Sequence, residues 1–325
     1  MTSPKPVDVR SPEEPRADAT RRAGTLGHLI ACTKPGITRM VTLSAVVGFI
    51  VSAAYHGAQP GELVLAAVVC ILGTALAASG ANAMNQWLER SRDAVMDRTK
   101  GRPLPAGALR PGTVLVFSAA LCFLGPGVML ATGHAVAAWI TLATVVLYVA
   151  VYTPMKAVSP KSTAVGAVPG ALPILIGWAC ASPTSLADLG AWPAWSLFAV
   201  LFAWQMPHFL AIAVMYRDQY AKAGYRTLLQ TARRDDVVFV TMVAWTFVMI
   251  AASAAPLVAM PGLFGAGYGL VAGALGVWLV VLVMRLGRSL ASGGARTLFF
   301  ASIVYLPVLF LALVADACLG RGPTV

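Results

Sequence analysis

The chain has 325 residues, of which 58% are hydrophobic and only 11% charged, with a mean hydropathy of +0.76. Soluble globular domains carry about 25% charged residues, so the composition excludes an ordinary soluble domain, a largely disordered chain and a secreted disulfide scaffold. The formal net charge of +11 raises an anionic partner, but no nucleic-acid-binding motif accompanies it, and the placement of the charges decides their meaning.

Residues 1–26 carry Pro4, Pro6, Pro12 and Pro15 among mixed charges, the composition of a disordered N-terminal segment. No apolar stretch of the signal-peptide kind follows closely, and Asp8, Glu13, Glu14 and Asp18 are too many acids for a transit peptide. From there the chain is a series of apolar runs near the ~20 residues that cross ~30 Å of hydrocarbon. They predict nine spanning helices at roughly 37–55, 63–87, 113–132, 135–153, 163–181, 192–215, 236–258, 262–284 and 297–318. The expected fold is all-α: a polytopic membrane protein whose nine transmembrane helices form one domain over 27–318, with a short tail at 319–325. Gly166, Pro169, Gly170 and Pro173 interrupt the fifth run; spanning helices tolerate such residues when neighbouring helices satisfy the freed backbone, and small residues allow close approach. Cys32, Cys70, Cys122, Cys180 and Cys318 form no CxxC pair and read as packing residues.

The charges segregate. Seven Lys or Arg lie in the segment through Arg39, six in loop 88–112, two in 154–162, five in 216–235 and three in 285–296. With nine spans all of these share one side, and Arg321 alone lies on the other. The positive-inside rule makes the crowded side cytoplasmic, with the N-terminus there and the C-terminus outside. The high pI is then a topology signal, reinforced by contact with the anionic lipid bilayer.

Two cytoplasmic loops are long and polar, and the first begins with the chemistry. Asn85, Glu89 and Asp93 are four residues apart, so each step turns about 40° around a helix and the three oxygen-bearing side chains share a face. Like charges at that spacing repel unless a cation sits between them, and an oxygen donor set with few carboxylates suits Mg2+. Arg98, Lys100 and Arg102 follow, bounded by Pro103 and Pro105, which are expected to end the helix. Arginine forks bind phosphate oxygens, so the run reads as a Mg2+–diphosphate site. A solvated, salt-bridged helix end accounts for the charges equally well, but not for Asn82 and Asn85 inside an apolar run, where polar groups are expensive.

The second loop follows the sixth run. His208 lies in the last turns of that helix and Asp218 at its mouth. Asp218 is a candidate partner for the same cation or a second one. Haem ligation, proton relay and a hydrogen bond within the bundle all remain open for His208. Tyr152 and Lys156, again four apart, end the fourth run; Lys156 either reaches a diphosphate or snorkels to the interface. Lys34, before Pro35, reads as an interface lysine.

The stretch NAMNQWLERSRDAVMDRTKGRPLP resembles the first signature of the UbiA-type intramembrane prenyltransferases. Together with VYTPMKAVSPKSTAVGAVPGALPILIGW and FAWQMPHFLAIAVMYRDQYAKAG, it is similar to the branch of that family that farnesylates haem. The resemblance implies Asn85, Glu89 and Asp93 at the metal positions, with Asp218 alone standing where the wider family offers paired aspartates. It implies activity roles for Asn82, Arg98, Arg102 and His208, with Lys100, Tyr152 and Lys156 at the substrate. The implied reaction is Mg2+-dependent transfer of a farnesyl group from farnesyl diphosphate to the vinyl group of haem B, giving haem O. Association with haem A synthase or oxidase assembly factors is implied as well. Two alternatives stand beside it. One is a sibling prenyltransferase acting on another aromatic or tetrapyrrole acceptor, which is expected to lack the PHF segment. The other is a non-enzymatic haem carrier or transporter, which is expected to place ionisable residues at mid-membrane and to show repeated halves.

Overall fold

Apolar side chains that find no water to avoid still need partners for their backbone amides, and in hydrocarbon the helix supplies these within one segment. The computed structural model describes residues 24–319 apart from 233, 288, 289 and 291; the segment 1–23, the tail 320–325 and Arg321 lie outside the described residues. Among the described residues nine helices are long and apolar enough to cross a membrane. A short helix α1 (Thr25–Cys32) precedes α2 (Pro35–Tyr55), α3 (Val64–Asp93), α4 (Pro111–Ala131), α5 (Ala135–Met155), α6 (Ser162–Ala181), α7 (Trp192–Met215), α8 (Asp235–Ala259), α9 (Ala266–Leu286) and α10 (Ser292–Leu319). Local chemistry marks the ends. Pro35 and Pro111 open α2 and α4 with a preset φ. Asp235 and Asp236 sit in the first turn of α8, Arg90 and Arg92 in the last turn of α3, each matched to the helix dipole.

Helix α3 has 30 residues and is therefore about 45 Å long. Counted from Val64, about 20 residues cross the hydrocarbon, which puts Asn85, Glu89 and Asp93 at and beyond the boundary. The expectation that Pro103 and Pro105 end this helix is corrected: it stops at Asp93, and 94–110 is a run of turns. The cause is side-chain capture. Thr99 donates its hydroxyl to the Asp93 carbonyl at 2.9 Å and Arg102 reaches the Asp93 carboxylate at 2.7 Å, folding the chain back onto the helix end.

Helix α5 is regular only to Val146; Leu147–Tyr152 widens into a π-helical turn before Thr153–Met155. Pro154 accounts for it, because proline has no N–H to donate and its ring crowds the carbonyl four residues back. Widened turns of this kind often coincide with functional sites, and this one carries Tyr148 and Tyr152.

Helices α6 and α7 are the most enclosed spans. Helix α6 packs on α2, α5 and α7, while α7 also packs on α8 and α10, and α3 pairs with α4. The α2–α6 crossing is glycine-dependent. A Cβ on Gly48 would collide with the Ile174 carbonyl, and one on Gly177 with the Ala45 carbonyl. Here the backbones themselves touch, the small-residue packing expected where no hydrophobic force drives helices together.

At the end opposite the polar loops, Asp188 ties α2 and α6 together. It accepts from Trp178 Nε1 at 3.1 Å, from the Ser182 hydroxyl and from Thr184 Oγ1 at 3.1 Å, and it lies 2.9 Å from His56 Nε2. Asp316, an acid inside the last span, has a similar structural use. It accepts the Gly265 and Tyr268 N–H groups at 3.0 and 3.1 Å and so caps α9.

Candidate active site

Glu89 and Asp93 are 4% and 1% exposed, and Asn85 is 1% exposed. Buried carboxylates persist only when paired, and each of these oxygen donors has a basic group against it. Lys156 Nζ lies 2.5 Å from Glu89 Oε1, and Arg102 Nη1 lies 2.7 Å from Asp93 Oδ2. Lys34 Nζ donates to Asn85 Oδ1 at 2.7 Å. Lys34 reaches inward by adopting φ 50° and ψ 67°, a left-handed conformation that a non-glycine residue before proline rarely takes. Burial pushes its ammonium down to about 7, with the Arg102 charge adding to the effect. Burial also disfavours the charge on Lys156, but Tyr152 and Glu89 outweigh it and hold this ammonium above the ordinary lysine range.

These groups line a polar pocket of about 210 Å3 together with Arg98, Tyr148, Tyr152, Tyr220 and Tyr225. The sequence-predicted residues Asn85, Glu89, Asp93, Arg98, Arg102, Tyr152 and Lys156 therefore converge. Four others do not join them: His208 faces the neighbouring cavity, and three more lie apart. Lys100 is exposed and pairs with Asp97 at 2.7 Å, its charge spent on a neighbouring surface acid. Asp218 is exposed and lines neither the pocket nor the cavity beside it, so the structure does not bring it to Asn85, Glu89 and Asp93. Asn82 donates to Thr38 Oγ1 at 3.2 Å and stands on the wall of the neighbouring cavity.

The second polar loop closes over the first through aromatic rings instead. Met96 is buried with Ala223 and Tyr225, and Tyr220 packs on them. The Arg98 guanidinium lies 4.5 Å over the Tyr216 ring, the Arg98 N–H donates to Gln219 Oε1 at 3.2 Å, and the Arg226 N–H donates to the Lys156 carbonyl at 2.9 Å.

The polar pocket continues into an apolar cavity of about 600 Å3 inside the bundle, with Ile37, Tyr148, Tyr152, Phe209 and Ile212 lining both. Its walls come from α2, α3, α5, α6, α7 and α10, and Ser44 and Ile176 stand just short of the Gly48 and Gly177 crossing. His208 faces this cavity, its ring between Trp204 (centroids 4.9 Å apart) and Phe299 (5.1 Å). Its Nδ1 is 2.8 Å from Ser302 Oγ, while the Ser302 hydroxyl donates to the Phe299 carbonyl at 2.7 Å. With that hydroxyl proton so placed, Ser302 accepts from Nδ1–H, and Nε2 is the lone-pair nitrogen.

Residues 41–313 match the UbiA prenyltransferase family. The chain belongs to the UbiA prenyltransferase family. Within it, a protein from Opitutus terrae named protoheme IX farnesyltransferase is 37% identical over 87% of this chain and 92% of its own length. The solved structure of digeranylgeranylglyceryl phosphate synthase shares the fold, with a TM-score of 0.70 at 15% identity over 90% of this chain and 98% of its own. A UbiA homologue from Archaeoglobus fulgidus bound to GPP and Mg2+ shares it too, with a TM-score of 0.57 at 12% identity over 88% and 99%.

Beyond the sequence-predicted residues, Lys34, Tyr148, Tyr220 and Tyr225 line the pocket, and Thr153 and Ser302 brace Asn85 and His208. Lys34 had read as an interface lysine; its one signal was a base fixed before a helix-opening proline. Thr153 and Ser302 carried no signal at all, because a hydroxyl in a spanning helix ordinarily bonds its own preceding turn.

Proposed function

We propose that the protein transfers a farnesyl group from farnesyl diphosphate to the 2-vinyl group of protohaem IX, giving haem O. The observation that carries this reading is the continuity of a buried acid-and-base pocket with an apolar cavity that exposes His208. One ligand end is polyanionic and the other oily, and the acceptor is a flat apolar macrocycle. The name of the Opitutus relative supports the acceptor, and the GPP and Mg2+ of the Archaeoglobus homologue support a divalent cation.

Two carboxylates and one amide, all oxygen donors on one helix face, fit a hard cation that keeps water and phosphate in its remaining positions. Asn85, Glu89 and Asp93 would hold Mg2+, with Asp218 left for a second cation only if its loop moves. The chemistry a bound Mg2+ supplies there is neutralisation of the leaving diphosphate. Lys34, Lys156 and Arg102 bind the phosphate oxygens, with Arg98 at the mouth, and stabilise the charge that grows as the allylic C1–O bond breaks. Tyr148 and Tyr152 line the junction, where ring faces suit a developing allylic cation. The vinyl carbon forms the new C–C bond with C1, water adds to the resulting cation, and a proton leaves to solvent. The closed α2–α6 end of the cavity keeps bulk water from the cation before that step. His208 binds the macrocycle through its iron, by the Nε2 lone pair, or through a propionate once that nitrogen is protonated.

The protein is an integral membrane protein. The charge segregation supports a cell-membrane location with the active site on the cytoplasmic face, the N-terminus on that side and the C-terminus outside. Handing haem O onward makes haem A synthase or an oxidase assembly factor a natural partner. Purified protein in detergent, given haem B, Mg2+ and farnesyl diphosphate, should yield a hydroxyethylfarnesyl haem by mass spectrometry of the extract. Asp93→Asn should abolish turnover while the helical circular dichroism stays intact. Folded wild-type protein that makes no prenylated haem would overturn the reading.

A further inference from the structure

An amide that must present oxygen to a cation has to be prevented from presenting nitrogen instead, because the two ends of an asparagine are nearly the same shape. In this protein the orientation is determined from both sides. As an ammonium Lys34 only donates, and its Nζ lies 2.7 Å from Oδ1, the Asn85 atom facing the pocket. Asn85 Nδ2 then points away and donates to Thr153 Oγ1 at 3.1 Å, across 68 residues of sequence. Thr153 is 2% exposed, and its own hydroxyl proton goes to the Tyr148 carbonyl at 2.8 Å, five residues back across the π-helical turn. A hydroxyl has one proton and two lone pairs. With the proton committed to Tyr148, Thr153 can only accept from Asn85. A flipped amide would set Oδ1 against Oγ1, lone pair to lone pair, unless Thr153 abandoned the Tyr148 carbonyl.

We infer that Thr153 is a positioning residue: it holds the Asn85 amide with Oδ1 turned into the polar pocket and links that orientation to the π-helical turn carrying Tyr148 and Tyr152. The inference rests on the reading of Asn85 as a metal ligand. It also gives the irregular turn of α5 a use: the widened turn leaves the Tyr148 carbonyl where the Thr153 hydroxyl reaches it, and so aligns an acceptor for Asn85. With Lys34 engaged on a phosphate instead of on Oδ1, the Thr153 contact would be the one that keeps the amide from rotating.

Mn2+ serves as the probe, titrated into the full-length protein in detergent and followed by electron paramagnetic resonance, with no turnover required. Thr153→Val keeps the shape and removes the hydroxyl; Thr153→Ser keeps the hydroxyl and removes the methyl. Loss of a group that orients a metal ligand typically weakens metal affinity about 10- to 100-fold. The expected result is Mn2+ affinity at least about tenfold weaker in Thr153→Val, near wild type in Thr153→Ser, and unchanged when Thr153→Val is added to Asn85→Ala. Equal weakening in the Val and Ser variants assigns Thr153 to packing and overturns the inference, as does unaltered Mn2+ affinity in Thr153→Val. Asn85→Ala alone separates the two levels. If it weakens Mn2+ binding while Thr153→Val does not, only the positioning role fails; if it too leaves Mn2+ binding intact, the metal assignment fails with it. Should Thr153→Val prove too unstable to purify, Tyr148-side geometry is spared in Thr153→Cys, whose weak S–H donor is expected to give an intermediate affinity, and wild-type affinity there overturns the inference.

Discussion

His208 shows how much one residue's meaning depends on a partner far away in the chain. Its Nδ1 is held by Ser302, 94 residues later, and its ring is clamped between Trp204 and Phe299. His208→Ala is expected to weaken haem binding and shift the absorption spectrum of the bound haem while leaving diphosphate binding nearly intact, because the proposed diphosphate clamp of Lys34, Arg102 and Lys156 belongs to other elements. An unchanged spectrum with only a lower melting point would assign the ring to helix packing, a contribution of about 1 kcal/mol. The candidate oxygen donors were legible in the sequence because Asn85, Glu89 and Asp93 share a face by local helical spacing. Lys34, Thr153 and Ser302 were not, since each acts across 51 to 94 residues and no local pattern encodes that. Asp188 was overlooked although Trp178, Ser182 and Thr184 are near it in the chain, because only the fold brings His56 to it. Burial raises its pKa, but hydrogen bonds from Ser182 and Trp178 and the charge of His56 outweigh this and hold the carboxyl below the usual carboxylate range. Its stabilising effect is therefore present above about pH 4, the value of an unperturbed aspartate, and is lost as pH falls through the lower folded value. Asp188→Asn should cost roughly 2 kcal/mol at neutral pH, as for hydrogen bonds to a charged group, and thermal melts of the two proteins should converge as pH falls below the ordinary aspartate value.

At the scale of elements, the apolar runs predicted all nine spans because length and hydropathy suffice to identify a crossing helix. What they missed is how helices end and where they deform. Helix α3 stops at Asp93 through capture by Thr99 and Arg102, not at the prolines ten residues on, and the widened turn of α5 follows from Pro154 in combination with Thr153. Small residues in the fifth apolar run, now α6, were legible as allowing close approach, whereas Gly48 of α2 and the pairs that meet were not. Gly48 and Gly177 now make a specific expectation. Gly48→Leu forces apart backbones that touch, an overpacking that typically costs about 1–3 kcal/mol and more where backbone must shift. Both haem and farnesyl diphosphate binding should fall together, because α2 and α6 wall the shared cavity. The same substitution at Gly36, whose Cβ would meet nothing, should leave the melting temperature within about 0.5 kcal/mol equivalent of wild type. Similar melting of the two variants would show that the α2–α6 contact does not set the packing.

The whole molecule is polarised, and its polarity joins topology to chemistry. The connections on the side away from the pocket, 56–63, 132–134, 182–191 and 259–265, contain no Lys or Arg, whereas the pocket side carries Lys34, Arg98, Arg102 and Lys156 among many others. This segregation was readable from the sequence because the positive-inside rule acts on loop composition alone. The shape of the cavity was not, because it is the space left between six helices, and the exposed position of Asp218 depends on how two loops meet. On the proposed reading the basic residues have two uses that coincide in space: they would orient the chain and supply the phosphate clamp. Orientation is testable apart from activity. Single cysteines placed in a cysteine-free background at Gln219 and at Ala187 should behave oppositely toward a membrane-impermeant maleimide added to intact cells. Ala187 should label, and Gln219 should label only after the membrane is permeabilised. The reverse pattern would put the diphosphate pocket on the outer face, away from the cytoplasmic pool of prenyl diphosphate, and would leave the charge asymmetry without its topological cause. Labelling of both sites in intact cells would mean that the loops at the two ends of the bundle do not lie on opposite sides, and the nine-span topology itself would fall.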